Sequence, residues 1–558
     1  MTGENWRSAG WRQIVRAFGL SAAAVCSDAI AQSPPADVRC ARTMGRLLAI
    51  QGQVDVQRDG SAIRRQVERA DAALCSGDWV HVGPRSRAAL IVDPETYIRL
   101  DEASSMRLTL EPNVTLIELV CCKAARLRGA PTEPRCRGAG YFISRFPRRI
   151  RVDTRFNNAT YDGTEFLVAV NDESAEVVVF EGRVTSTNKA NGDATTVTGG
   201  SAVTHRGAAT EVRKVIRPTD AIQWTLNYPR LDRGRDAGTE CDTADAECRI
   251  GVAEALLQVG QVDAALVQLQ GLDQADALAL AALVGVVNNN KVAARTAADA
   301  ALARDVKSAR AHLAQSLVAQ AEYQLPPALV AAQEARRLAP ESALAAARVA
   351  ELLLALGQVE VARTAAEQIT AAHPSEPRGW IVLGFVRLAE QDAHRAQIAF
   401  ERAIALDAAD PHAHLGLGLA RIKQDDLPAG RADLEAAVVL DPAQSLLRSY
   451  LGKAYYAENT DERDQLAGIQ FDVAQTLDPS DPTPWFYGAI RDQAANQPGS
   501  ALGRLHRSGE LNDRRASPPM GVCIGNLDLI VWRWRRVAPH SRTMARVPLP
   551  MPPWPITT

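Results

Sequence analysis

The 558-residue chain lacks a surplus of either charge: 63 Lys and Arg stand against 65 Asp and Glu. A general nucleic-acid binder needs a basic excess, so that class is set aside and no nucleic-acid partner is expected. Long apolar runs are missing as well. The run from Ala17 to Cys26 is too short to span a bilayer, and no later segment reaches spanning length. Zinc-type ligand spacing is absent: Cys121, Cys122 and Cys136 have no histidine nearby, so no metal is expected. The chain has no Gly-x-Ser-x-Gly elbow, no His-Glu-x-x-His helix, no nucleotide loop and no convergent acid pair. Its histidines are scattered among repeat and strand positions. The expectation is a protein that binds without catalysing and uses no cofactor; an envelope enzyme is the weakest alternative.

Length alone calls for more than one domain. At the N-terminus Arg7, Arg12 and Arg16 precede the short apolar run, and Ala29-Ile30-Ala31 offers a small-x-small site. That pattern predicts a signal peptide over residues 1–31, cleaved after Ala31, although Asp28 interrupts the approach. The alternative is a disordered or amphipathic tail. Cys26 lacks the residues that precede a lipidated cysteine, so no acyl anchor is expected. In an oxidising compartment Cys40 and Cys75, which flank the first strand pair, are the disulfide candidates. From Lys123 to Arg155 the chain is basic, opposed only by Glu133 and Asp153. This stretch reads as a solvated face or an arginine-rich insertion, with a docking surface for an anionic partner as the alternative.

Between residues 44 and 231 the hydrophobic period is two. Val54-Asp55-Val56 leads into an Arg58-Asp59-Gly60 turn, and short alternating runs recur at Trp79–Val82, Ala88–Val92, Tyr97–Leu100, Ile150–Val152, Glu165–Val170 and Val177–Phe180. Many short strands with Gly and Asn turns predict an all-β sandwich, barrel or stack. Leu74-Cys75-Ser76-Gly77-Asp78, Ser86 to Leu90, Val152-Asp153-Thr154, Gly163-Thr164-Glu165-Phe166 and Glu181-Gly182-Arg183-Val184 together resemble the FecR-type domain. The likeness implies an extracytoplasmic module; known members relay iron-siderophore signals from an outer-membrane receptor to a sigma factor. This chain departs from them, having neither a cytoplasmic sigma-binding segment nor an internal membrane helix. Cys121 to Arg137 is a further departure, read as an insertion loop or as locally misread sequence.

After a linker at 232–245, alanine and leucine dominate and prolines fall at 340, 374, 442 and 479. These positions mark a unit of about 34 residues with one short insertion, near Thr460 to Asp464. Trp380, Leu383, Gly384, Ala396, Phe400 and Ala403 recur one unit later as His414, Leu417, Gly418, Gly430, Leu434 and Ala437. The pattern identifies tetratricopeptide repeats over residues 246–513, with degenerate units first. Gly416-x-Gly418 reads as repeat packing, since no strand precedes it and a third glycine is missing. The fold class is therefore multidomain: an all-β FecR-like region followed by an all-α superhelical solenoid.

The resemblance to tetratricopeptide arrays implies that first helices line the concave side. Repeat offsets then place Arg310, Arg378, Phe385, His412, Lys423, Lys453, Tyr456, Phe486 and Gln493 there. The Lys/Asn set with which some such arrays clamp a C-terminal carboxylate is missing, so a groove for an apolar or mixed peptide segment is expected. Phe385, Tyr456 and Phe486 would form an apolar track flanked by Arg378, Lys423 and Lys453. Residues 514–558, with Trp532-Arg533-Trp534 and a proline-rich end, form no repeat unit and read as a disordered tail or a reading-frame change. The functional expectation is a periplasmic scaffold, with the outer-membrane periphery as one location, that binds an envelope protein or peptide. A cell-wall glycan binder supported by Trp79, Tyr141 and Phe142 is the alternative.

Overall fold

The computed structural model describes residue 40 and residues 43–92, 95–111, 114–121, 137–144, 150–161, 164–215, 218–231 and 245–513. The expected signal peptide, the tail, most of the linker and residues 123–136 and 145–149 of the basic stretch lie outside the described residues. The chain divides into a unit ending at Cys40 and one compact unit from Ala41 on, and the second holds both the strands and the helices.

Among the described residues the strands form two nine-stranded sheets. In hydrogen-bonded order the first runs Ala209–Lys214, Ser201–Arg206, Ala175–Glu181, Glu165–Asn171, Arg137–Ser144, Thr96–Leu100, Arg87–Val92, Thr43–Gln51 and Ala73–Cys75. The second runs Ala194–Thr198, Arg183–Asn188, Asn157–Tyr161, Ile150–Asp153, Val114–Cys121, Ser104–Glu111, Trp79–Val82, Val54–Gln57 and Arg64–Gln66. Their shared core takes alternate residues from each: Ile98, Leu100, Phe142, Phe166 and Val168 from one sheet, Val80, Met106, Ile117 and Val184 from the other. Period two produces this, because successive side chains leave a strand on opposite faces. The strands before and after residues 122–136 belong to different sheets.

Alternation predicts one wet face, yet the middle strands of the first sheet are buried on both, while its edge strand Ala209–Lys214 is exposed throughout. Thr96–Leu100 is buried at every position. Its outward Tyr97, with Tyr141, Leu167 and Val178, joins one apolar cluster with the helices. Tyr141 and Phe142 are fully buried, which removes two of the three aromatic supports for a glycan surface. The third, Trp79, stacks on His81 and lies under Arg107.

The helices come in antiparallel pairs: α1 (Ala246–Gln258) with α2 (Val262–Leu269), α3 (Ala275–Val287) with α4 (Lys291–Arg304), and α5 (Ala309–Ala321) with α6 (Leu325–Leu338). Next come α7 (Ala343–Ala355), α8 (Val359–Ala372), α9 (Pro377–Ala389), α10 (Ala393–Leu406), α11 (Pro411–Lys423) and α12 (Leu427–Leu440). Last are α13 (Ser445–Ala457), α14 (Asp461–Leu477), α15 (Thr483–Ala494) and α16 (Pro498–Asp513). First helices start at 275, 309, 343, 377, 411 and 445, a constant step of 34. Of the units expected to be degenerate, those from α3 on keep the period, whereas α1 starts only 29 residues before α3 (275 − 246). The insertion lengthens α14 to 17 residues against 14 in α12.

Capping side chains start many of them. Ser308, Ser342, Asp392 and Asp426 each accept from a backbone N–H three residues on. Small residues then set the spacing between helices. The Phe400 ring on α10 sits between Gly384 of α9 and Gly416 of α11, where an added Cβ would come within 2.6 and 2.1 Å of it. Gly418 and Gly430 face each other across α11 and α12 just as closely. Gly416-x-Gly418 is therefore a packing seat in mid-helix.

Three sets of polar contacts fix the sheet to the array. Tyr97 donates to Glu435 (2.8 Å) on α12, and Arg99 donates to the Leu440 carbonyl (3.2 Å). Glu165 is held by both Nη atoms of Arg448 on α13, at 2.6 and 2.8 Å. Glu95 pairs with Arg431 on α12 and Arg463 on α14. On the other side Arg87 donates to the carbonyls of Trp224, Leu226 and Gln258, so the sheet also touches the end of α1. The array is bridged within itself too. Asn289, in the α3–α4 turn, donates to the Leu477 carbonyl at 2.8 Å, and Lys291 and Tyr323 both reach Asp478 after α14. No helix among the described residues is long and apolar enough to cross a membrane.

Candidate functional site

First helices α7, α9 and α11 turn one face inward, because residues 34 apart occupy the same place in successive units. Two adjoining cavities open there. The larger, about 340 Å³, is lined by residues that include Leu317, Tyr323, Arg348, Asp441 and Gln444, with Asn227 and Pro229 from the segment after the sheets. The smaller, about 90 Å³, is walled by Leu354, Ile381, Val382, Phe385, Leu415 and Leu446. Glu351, Arg378, His412 and Leu446 line both, so the two are one continuous recess.

Several of its charges are arranged in pairs. Arg348 is buried on α7, donates to the Ser316 hydroxyl and carbonyl at 3.0 and 3.1 Å, and pairs with Glu351 at 3.2 Å. Burial pushes the Glu351 carboxyl up, but Arg348, Arg378 and His412 outweigh it and hold the group below its ordinary value. His412 Nδ1 lies 3.1 Å from the Asp410 carboxylate, which also accepts from the His412 N–H and so caps α11. Burial works against both charges, yet their attraction prevails: His412 is raised, and Asp410 is lowered to about 2. Burial lifts Asp441 to about 6. Arg378 differs from all of these. Its guanidinium has no hydrogen bond or ion pair among the described residues, and its backbone N–H alone donates to Glu376.

The Asp410–His412 pair has a pH signature. The raised His412 contributes stability that is full below about pH 6.5 and lost as pH rises through its folded value. The lowered Asp410 contributes above about pH 4, and this is lost as pH falls toward its value of about 2. The stability difference between the wild type and H412Q, measured by urea unfolding, should be larger at pH 5.5 than at pH 8.5. Equal differences at the two pH values would mean that folding does not raise the imidazole's affinity for a proton.

Of the residues expected on the concave side, Arg378, Phe385 and His412 line the recess together. The others fall elsewhere. Arg310 pairs with Asp276 and Glu254 beside a separate depression between α1 and α5. Lys423 reaches Gln391. Lys453 donates to the Tyr487 hydroxyl at 3.1 Å and lies over that ring. Tyr456 and Phe486 pack against the main apolar cluster, and Gln493 is exposed. Phe385, Tyr456 and Phe486 are all partly buried against that one cluster, and of the three Phe385 lines the recess. Glu351 went unnoticed, although it stands one unit before Phe385 (385 − 34 = 351) and carrying the period backward would have found it.

No group of His, Cys, Asp and Glu among the described residues is arranged to hold a metal ion. Cys40, Cys75, Cys121 and Cys248 are each disulfide-bonded.

No protein-family model matches the chain, and no curated protein does. Solved structures do. A thermophilic tetratricopeptide protein of Thermus thermophilus is 21% identical over 35% of this chain and 99% of its own, with a TM-score of 0.30. A tetratricopeptide repeat protein of Parabacteroides merdae is 13% identical over 42% of this chain and 93% of its own, with a TM-score of 0.31. A Parabacteroides distasonis protein provisionally named an anti-sigma factor is 15% identical over 27% of this chain and 68% of its own, with a TM-score of 0.22. These scores assign no family to the two-sheet region. The helical region, with paired helices at a constant step of 34 and glycine seats for an aromatic plug, fits a tetratricopeptide-type solenoid.

Proposed function

We propose that this protein is a non-enzymatic scaffold of the cell envelope whose concave recess receives a peptide segment of a protein partner. The observation that carries the reading is the recess itself. An apolar wall of Leu354, Ile381, Val382 and Phe385 continues into a polar one with Arg378 and His412, the mixture that anchors a side chain and orients a backbone. The disulfide-bonded cysteines support export, since such bonds persist in oxidising compartments. The FecR-like motifs point the same way, and a role in envelope signalling or regulation is the natural extension of that resemblance. Cys40 with Cys75 is the first pairing to look for, and non-reducing peptide mapping of the exported protein should recover the two in one cross-linked peptide. Finding them in separate disulfides would reject it.

The groove is tested by placing a photo-activated amino acid at Phe385 and, in a second protein, at Ile398, which is exposed on α10. Irradiation in cells should attach one recurring peptide at position 385 and none at 398. Equal labelling at both positions, or labelling at 398 alone, would move the functional surface elsewhere.

A further inference from the structure

We infer that Arg378 is the specificity residue of the recess, and that the segment it accepts carries an acidic side chain next to an apolar one. This rests on the reading of the recess as a peptide groove and names the chemistry of its occupant. Open donors set Arg378 apart: its charge lowers Glu351 and Asp410, yet its guanidinium makes no hydrogen bond or ion pair with either. Of the charged side chains that line both cavities, Glu351 and His412 each have an ion-pair partner and Arg378 has none among the described residues, while Asp441 in the larger cavity accepts from the Ala443 backbone N–H. Arg348 is spent on Ser316 and Glu351, and His412 is spent on Asp410. At the far side Asp478 is held by Lys291 and Tyr323, and Asp481 accepts from the Ser445 hydroxyl. Arg378 remains, half-buried, lining both cavities and with its guanidinium unengaged among the described residues.

A guanidinium with all its side-chain donors open, next to a low-dielectric wall, favours a carboxylate that can take two of them at once. Glu351 does not fill that place, because Arg348 already holds it at 3.2 Å. Beside Arg378 lies the smaller cavity, whose walls, apart from the shared polar edge, are mainly Leu, Ile, Val and Phe side chains, with room for a single apolar side chain. An extended segment sends neighbouring side chains to opposite faces and next-but-one side chains to the same face. An apolar residue in the small cavity therefore places an acid one or two positions away within reach of Arg378. The backbone between them would cross toward the larger cavity, where Gln444 Oε1 is buried without a hydrogen bond and can accept from an N–H.

The test is selection of a randomised peptide library displayed on phage against the purified full chain, its R378A variant and its R378E variant. The wild type should enrich Asp or Glu within two positions of Leu, Ile or Phe. R378A should lose the acidic preference while keeping the apolar one, and R378E should replace it with Lys or Arg. A synthetic copy of the winning peptide should bind R378A roughly tenfold to a hundredfold more weakly, as expected for loss of a charged hydrogen-bonded contact. An acidic preference that persists in R378A would overturn the role of Arg378 and leave the groove intact. If the wild type selects no peptides at all, the groove reading itself fails. Matching thermal unfolding of the three proteins excludes a folding defect as the cause.

Discussion

Replacing Arg448 by alanine should lower the free energy of unfolding by about 3–5 kcal/mol, the scale seen when one partner of a buried ion pair is removed. Arg448 and Glu165 are almost wholly shielded, at 2% and 4% side-chain exposure, and they meet across the boundary between sheet and array. Arg448 also donates to the Pro442 carbonyl at 2.9 Å and to Gln470 at 3.2 Å. In R448A the Glu165 carboxylate keeps the Tyr141 hydroxyl as donor but loses its counter-charge in a dry setting. The double change R448M with E165L should recover much of the loss, because the cost lies in the stranded charge more than in the missing pair. Urea unfolding of the two single variants and the double variant gives the coupling directly. A loss below about 1 kcal/mol in R448A would mean that water reaches Glu165 and that sheet and helices separate easily.

The second large effect is expected at Phe400. Its ring is fully buried, meets Phe385 edge-on at 5.0 Å between centroids, and fills the space left by two glycines on neighbouring helices. F400A should cost about 3–5 kcal/mol, the range for deleting a large aromatic side chain from a core. The glycines supply an internal control. In wild type a methyl group at Gly416 would press into the ring, so G416A should destabilise on its own. Combined with F400A, it should recover part of the loss, since the methyl then occupies vacated space. If the two changes merely add, the ring and the glycine are not in contact in solution, and the packing account of the repeat signature falls.

Much of the architecture could be read from residues alone because it depends on local rules. Alternation marked Glu165–Val170 and Val177–Phe180 as strands, and both lie in one sheet. Small residues at Gly384 and Gly418 and the large plug at Phe400 marked the helical unit, because such spacing has few other physical causes. What could not be read depends on distant partners. Arg99 sits between two apolar strand residues and reads as a solvent-facing position, yet it is buried against the end of α12. Nothing near it in the chain signals that a helix covers that face. The strands at 104–111, 157–161, 194–198 and 209–214 escaped notice for a related reason. Several are rich in Ser, Thr and Asn, and sheet pairing sustains them more than any hydrophobic pattern. The recess shows the same division. Arg378, Phe385 and His412 followed from repeat offsets, whereas the ion pairs that satisfy Arg348 and His412, and so single out Arg378, exist only after folding.

A stack of repeats in which each unit touches only its neighbours behaves as a one-dimensional chain, and its end units can fray singly. The bridge from the α3–α4 turn to Leu477 and Asp478 alters those statistics, as does the sheet that grips both α1 and α12–α14. Breaking one end now means breaking contacts with distant units, since Asn289 and Leu477 are 188 residues apart in sequence. Amide protons of α3 and of α14 should therefore exchange through a shared opening event, and mechanical pulling should give one tall rupture in place of a staircase of small ones. A recess mounted on such a body keeps its shape while it waits for a ligand, so little of the binding energy is spent on ordering the protein.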